Sequence, residues 1–332
     1  MVIAIYNNTG PCYHRIFVPL SAIPDLQVKF TNHVIEEDAA KCSAIYFNRI
    51  FPTNKLSEIL RWKHKYGFKL ICDLDDHWDL DPNHALFTYY KKTNLSNYIL
   101  QSVISSDAVS VTHERLADAV LPYNRNIWIL PNAIDDQHPQ FQQQHTLGEK
   151  VRLFWAGGIT HEHDIAILRN PMKRISADTY LTHRSMVVMG GYVEGYEPWK
   201  RMVTSFTNGF KMPGVILNGK EVNEYYSLYQ YADICLVPLQ QSRFNSFKSN
   251  LKILEAANIG VPVVVSNVHP YKGFPPEIVN YVDSQTDWYK YVRHLVRYED
   301  FRIEQGRALK DYCKQVYNFD KINEARCAMI TE

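Results

Sequence analysis

"SRFNSFKSNLKILEAANIGVPVVVS", residues 242–266, runs from a polar loop through a helical pattern into a β-branched strand. Another strand pattern, "DICLVPL" (233–239), stands directly before it. Strand, helix and strand in succession imply a βαβ unit and therefore a parallel sheet. Within the helical pattern, which spans about 247–258, Lys248, Lys252 and Glu255 fall at i, i+4 and i+7 on one stripe. Leu251, Leu254 and Ala257 supply the apolar side. A solvated, salt-bridged face is the ordinary meaning of such a stripe. Here the lysines stand near the helix N-terminus and oppose the macrodipole, and Arg243 precedes them in the loop. Cations set against the dipole imply an anion between them.

The same alternation extends in both directions. Strands are expected at "VIAIY", "AIYFN", "FKLIC", "AVSV" and "IWILP", with helices around 54–66, 94–105 and 113–121. A polar, Gln-rich stretch without periodicity, 135–150, reads as a linker. Beyond it come strands at "VRLFWAGG", "SMVVMGG", "GVILNG", "DICLVPL" and "VPVVVS", helices near 221–231 and 247–258, and a helical tail from about 285. The layout is two Rossmann-like α/β domains, 1–148 and 149–310, followed by a helical segment over 311–332. In open α/β sheets ligands bind beyond the carboxyl ends of the strands, so those ends are expected to line a cleft between the domains.

At 332 residues, two domains are the default for a globular chain. The net charge of +1 carries no global signal for nucleic acid. Six cysteines show no zinc spacing, which fits thiols in a reducing compartment. No run is long enough to span a bilayer and no signal peptide is evident, so a cytosolic protein is expected.

Three further segments sit at strand ends. "NNTGPCYHRIF" (7–17) offers Gly10 at a turn and His14 and Arg15 on the opening of a helix, where Arg15 could hold an anion. A plain tight turn accounts for the same residues equally well. "WAGGITHEHD" (155–164) places Gly157 and Gly158 after a strand, Thr160 as a helix N-cap and His161 in the first turn, an arrangement that favours phosphate. "CDLDDHWDLDP" (72–82) packs five aspartates into one loop, with Asp73, Asp75, Asp76 and His77 expected to face the cleft. Asp79 and Asp81 suit helix capping. Clustered carboxylates raise one another's pKa and favour functional sites.

"KSNLKILEAANIGVPVVVSN" resembles the signature of the GT-B glycosyltransferases, in particular the large retaining group of bacterial and phage sugar transferases (group 1, family 4-like). "FWAGGITHEHD", "ICDLDDHW" and "ILPNAID" are similar to further segments of that family, in the same order along the chain. The resemblance implies the GT-B fold, two facing domains with a C-terminal helix returning to the N-terminal one. It implies that the C-terminal domain binds a nucleoside-diphosphate sugar, a UDP-sugar foremost, and the N-terminal domain the acceptor. Glu255 would then bond the ribose. Lys248, Arg243 and the backbone around Ser249 and Asn250 would hold the diphosphate, joined by Lys252, with Gly157, Gly158, Thr160 and His161 against the donor from the other side. The chain departs from the family at Phe247, where many members carry a second glutamate that contacts the sugar.

A D-x-D metal site belongs to the other main glycosyltransferase architecture, and positioned cations and amide dipoles suffice in principle to stabilise a departing diphosphate. No essential metal or cofactor is therefore expected. Asp76 or Asp75, with His77 competing, is expected to orient or deprotonate the acceptor hydroxyl; if configuration is retained, the donor phosphate could take the proton instead. His113 is expected to be structural. The acceptor is expected to be a glycan or lipid-linked sugar. The alternative is a hydroxymethylated base of phage DNA, for which His14, Arg15, Lys91, Lys92 and Arg115 would have to gather on one rim. A sugar-nucleotide epimerase or hydrolase, and a non-catalytic nucleotide-sugar-binding protein, share the same layout.

Overall fold

The structure, a computed structural model, describes residues 1–146 and 148–332. The chain divides into two units, one of residues 1–135, 247–249 and 317–332, the other of 136–246 and 250–316.

The first unit is built on a six-stranded sheet: β1 (Val2–Ile5), β2 (Val28–Thr31), β3 (Ala44–Asn48), β4 (Lys69–Leu74), β5 (Ala108–Val111) and β6 (Ile127–Ile129). All pairings are parallel, in the order β2-β1-β3-β4-β5-β6. Successive strand residues point to opposite faces, and both faces are covered. Ile3, Ile5, Ile45, Phe47, Leu70, Cys72 and Leu74 join one core with Ile59 and Trp62 of helix Leu56–Tyr66. Val2, Ala4, Ala44, Tyr46 and Ile71 join the other, which includes Met329 and Ile330 of helix Phe319–Thr331. That helix starts where the Asn318 side chain accepts from the Lys321 N–H at 2.9 Å. The C-terminal helix thus packs on the N-terminal sheet.

The second unit holds β7 (Val151–Ala156), β8 (Ser185–Tyr192), β9 (Gly214–Asn218), β10 (Ile234–Val237), β11 (Val263–Ser266) and β12 (Asn280–Val282). These too are parallel, in the order β12-β11-β10-β7-β8-β9. Helix Leu251–Ile259 ends at Gly260, whose φ of 80° is left-handed. Gly306, on helix Glu299–Val316, meets that turn so closely that a Cβ would lie 2.2 Å from the Gly260 carbonyl oxygen.

Several expectations change. β2 and β12, both sheet edges, carry no clean apolar signature: β2 is "VKFT", only half-buried. The expected helix near 221–231 is a 3-10 run, Tyr225–Tyr231. The stretch read as a linker is packed onto the second unit: Phe141 is buried, its ring centroid lies 5.1 Å from that of Tyr226, and its carbonyl accepts from Asn258 at 2.9 Å. The second unit accordingly begins near residue 136 instead of 149, and the chain rejoins the first unit at 317, after helix Glu299–Val316, instead of at 311. Among the described residues no helix is long and apolar enough to cross a membrane.

Candidate active site

In each sheet the chain reverses its direction of growth once, and ligands of open parallel sheets sit beyond the carboxyl ends of the strands at that point. In the second unit the reversal lies between β7 and β10. The residues that follow those strands are Gly157 and Gly158 on one side and Pro238 to Arg243 on the other. The glycines differ in what holds them. A Cβ on Gly157 would fall 2.7 Å from the Trp155 ring and 3.2 Å from Lys252 Nζ, whereas one on Gly158 would meet nothing within 4 Å. Lys252 donates to the Ala156 carbonyl at 2.6 Å and lies 5.4 Å from the Trp155 ring centroid. A cation is thereby anchored against the end of β7.

Glu255, one turn further along helix Leu251–Ile259, is buried and accepts from the Tyr229 hydroxyl at 2.6 Å. Tyr226 donates to its backbone carbonyl at 3.0 Å. Burial raises the Glu255 pKa, while Lys252 and the Tyr229 hydrogen bond pull it back. Tyr229 itself is pushed far up by burial and then by the Glu255 charge, so it stays a donor. The tyrosine run 225–231 was legible in the sequence only as a helix; its role in holding Glu255 was not.

Three expectations for this unit are corrected. The helix begins at Leu251, so Lys248 lies outside it and does not share a helical stripe with Lys252 and Glu255. Thr160 is not an N-cap: residues Ile159–His161 form a 3-10 turn, followed by the five-residue helix Glu162–Ala166, with no side-chain cap at either start. So short a helix carries little macrodipole, and the phosphate preference expected of it lapses. Asn250 occupies the position before helix Leu251–Ile259 but makes no capping bond. Arg243 lies exposed in the loop after β10.

In the first unit, β4 delivers the acidic segment. Asp73, its penultimate residue, does not project outward but is wholly buried. It accepts from Arg15 Nη2 at 2.7 Å, Ser110 Oγ at 2.6 Å and Asn48 Nδ2 at 3.0 Å. Arg15, equally buried, also donates to the Leu130 carbonyl at 2.6 Å. Its guanidinium serves the interior, and the anion-holding role expected of it is withdrawn. Gly10 opens the turn Gly10–Cys12 with open space where a Cβ would lie, and His14 is half-buried against Tyr13.

Asp75 and Asp76 follow β4 and are partly exposed. Asn48 Nδ2 lies 3.2 Å from Asp75 Oδ1 and Arg49 Nη1 3.9 Å from it. Arg49 holds a left-handed φ of 63° at the end of β3, a conformation costly for a side chain of this kind. Burial raises the Asp75 pKa, and the neighbouring Asp76 charge adds to that. Asp76 pairs with Lys248 Nζ at 3.3 Å. His77 is a weaker acid–base candidate than expected. Its Nδ1 accepts from the Asp79 N–H at 2.9 Å, and its ring is stacked on Trp78 at 4.2 Å and lies 4.5 Å from Phe247. His113 caps helix Glu114–Val120 through Nδ1, with Nε2 3.1 Å from the Phe247 carbonyl. Ser249 accepts from Asn132 Nδ2 at 2.8 Å. Lys248 and Ser249 thus belong with the first unit, not with the second, where they were expected. Among the described residues, no group of three or more His, Cys, Asp or Glu is placed to hold a metal.

Comparison with known proteins bears on this geometry. Residues 150–295 match the family model for glycosyl transferases group 1. The group 1 match covers under half of the chain, and it contains the β7–β10 reversal, Lys252 and Glu255. It supports sugar transfer as the chemistry. No curated protein sequence matches the chain. Among solved structures, TarM of S. aureus aligns with a TM-score of 0.64 at 12% identity, over 87% of this chain and 55% of TarM. The α,α-trehalose 6-phosphate synthase of Burkholderia multivorans aligns at 0.63 and 12%, over 90% and 73%. Sucrose-phosphate synthase of Thermosynechococcus elongatus aligns at 0.59 and 14%, over 87% and 73%. Likeness at such identities speaks for the fold, which is GT-B.

Proposed function

We propose that this protein transfers a sugar from a nucleoside-diphosphate sugar, a UDP-sugar foremost, to an acceptor hydroxyl, with retention of configuration and without an essential metal. The observation that carries the proposal is the β7–β10 reversal. There a glycine that cannot become alanine without displacing Trp155, an anchored lysine and a buried glutamate lie within the segment that matches glycosyl transferases group 1. UDP is favoured because one neighbour of this fold is a UDP-forming synthase and another, TarM, was captured with UDP.

In the proposed reaction the bond between the sugar's anomeric carbon and the β-phosphate oxygen breaks, and its electron pair leaves with the diphosphate. A bond from the acceptor oxygen to the same carbon forms, and the acceptor proton passes to the departing diphosphate. Lys252 and Arg243 stabilise the charge that develops on that group. Glu255, held by Tyr229, receives the ribose hydroxyls. Asp76, with Asp75 beside it, orients the acceptor hydroxyl. The acceptor is proposed to be a glycan or a lipid-linked sugar. The thiols of all six cysteines are free, as suits a reducing compartment.

The test is UDP release from a panel of UDP-sugars, in EDTA and again with magnesium, with monosaccharide glycosides, a lipid-linked sugar or hydroxymethylated DNA as acceptor. Release in EDTA that depends on a sugar acceptor, with an anomeric NMR signal of unchanged configuration, supports the proposal. Release without any acceptor would point to a hydrolase or epimerase, and a strict need for magnesium would remove the metal-free mechanism. Release that depends on the modified DNA alone would replace the sugar acceptor.

A further inference from the structure

Asp164 lies six residues after Gly158 and is almost fully buried; it closes the segment "WAGGITHEHD" but was given no role there. Its two oxygens are divided between two loops. Oδ2 lies 2.8 Å from His161 Nδ1, on the segment after β7. Oδ1 accepts from the Gln240 N–H at 2.8 Å and from Asn245 Nδ2 at 3.2 Å, both on the segment after β10. One carboxylate therefore ties together the two loops that flank the reversal of the sheet. Of these three partners, His161 is the one that can carry a positive charge. Its ring stands edge-on to Trp155, with centroids 6.1 Å apart, the same indole that supports Lys252.

We propose that Asp164 is a positioning residue that holds the proton on His161 Nδ1, so that the imidazolium presents Nε2–H to the diphosphate of the donor. This rests on the function proposed above and assigns to that site a proton-dependent donor grip. A carboxylate at Nδ1 fixes the tautomer of the neutral ring and favours its charged form. In that arrangement the charged ring offers Nε2–H to the ligand. The neutral ring offers Nε2 as a lone pair, which faces phosphate oxygens unfavourably. Charged and titratable groups on the elements packed round His161 include Glu162 and His163 on the helix that follows it, Glu197, Lys200 and Arg201 on helix Glu197–Thr207, with Arg201 paired to Glu162, Lys252 on helix Leu251–Ile259, and Arg243 after β10. Both variants tested below leave every one of these groups unchanged.

The test is UDP binding in EDTA, measured by calorimetry from pH 5.5 to 8.5, for the wild type, Asp164→Asn and His161→Gln. The wild-type affinity should fall by about tenfold as the imidazole loses its charge. In Asp164→Asn the carboxamide oxygen keeps the bonds to Gln240 and Asn245, while its NH2 donates to Nδ1 and moves the neutral ring's proton to Nε2. Its profile should therefore be flat, as should that of His161→Gln. A merely structural role would lower affinity at every pH and leave the slope intact. Wild-type slopes in both variants would overturn the inference, as would a wild type whose affinity does not fall with pH. If Asp164→Asn fails to fold, His161→Gln decides alone. A wild type that binds neither UDP nor GDP nor ADP at any pH would sink the proposed function itself, and the inference with it.

Discussion

Arg15 and Asp73 form an ion pair inside the first unit, Nη2 to Oδ1 at 2.7 Å, with side-chain exposures of 1% and 0%. They lie 58 residues apart in sequence, on the π-helical turn Tyr13–Phe17 and on β4. Asp73→Ala leaves a buried guanidinium without its carboxylate, and breaking a pair of this kind costs about 3–5 kcal/mol. Urea unfolding should show that loss. A change under about 1 kcal/mol would mean that the pair behaves like an exposed one.

Asp76 stands in contrast. Its partner Lys248 is 3.3 Å away, and the two side chains keep 21% and 22% of their exposure. Asp76→Ala should therefore alter stability by less than about 1 kcal/mol. It should cut sugar transfer by about 100-fold or more and leave the affinity for UDP unchanged. Full transfer activity in the variant would remove Asp76 from the reaction.

Asp75 should cost the fold stability at neutral pH. Its pKa is raised by burial first and by the Asp76 charge second. An acid that binds its proton more tightly when folded favours the native state most below its unfolded pKa of about 4. It loses that contribution as pH rises through the folded value. Asp75→Asn, which retains an acceptor for Asn48, should melt higher than wild type at pH 7, and the two curves should converge below about pH 4. An equal gain at pH 3 and pH 7 would show that charge is not the cause.

Three glycines of the second unit should respond differently to alanine. At Gly191, with φ of 98°, a Cβ would lie 2.2 Å from the Gly157 carbonyl oxygen, so the backbone itself must move. At Gly157 the obstacles are the Trp155 ring and the end of Lys252. At Gly158 there are none within 4 Å. Melting curves should rank Gly191→Ala as the most damaging, by about 2 kcal/mol or more, and Gly158→Ala as neutral. Gly157→Ala should fold but bind UDP about tenfold less tightly, because Lys252 is displaced. A Gly157→Ala protein with wild-type affinity would detach Lys252 from donor binding.

Much of the fold was legible because parallel strands buried on both faces write themselves as near-continuous apolar runs, as in "VPVVVS" and "FKLIC". Two of the four edge strands, β2 and β12, escaped: "VKFT" is only half-buried, and "NYV" is three residues long. The stripe of Lys248, Lys252 and Glu255 misled, because helical spacing continues on paper across a boundary that the 3-10 turn Phe244–Phe247 imposes in space. The acidic segment was recognisable as unusual, but nothing in "DLDD" separates Asp73, turned into the sheet toward Arg15, from Asp75 and Asp76 beyond its end. That distinction depends on where β4 stops. Asp164 escaped for a related reason: its partners Gln240 and Asn245 come from a segment more than seventy residues away.

The helix Phe319–Thr331 covers one face of the first sheet, so Val2, Ala4, Tyr46 and Ile71 wait for Met329 and Ile330. During synthesis, those partners leave the ribosome only after the entire second unit, residues 136–246 and 250–316, has emerged. The order of completion is therefore inverted: the unit begun first is finished last. Until then its sheet offers an uncovered apolar face, a surface on which nascent chains associate. A chain stopped at residue 316 should accumulate as aggregate and engage chaperones, although it retains every residue placed at the β7–β10 reversal.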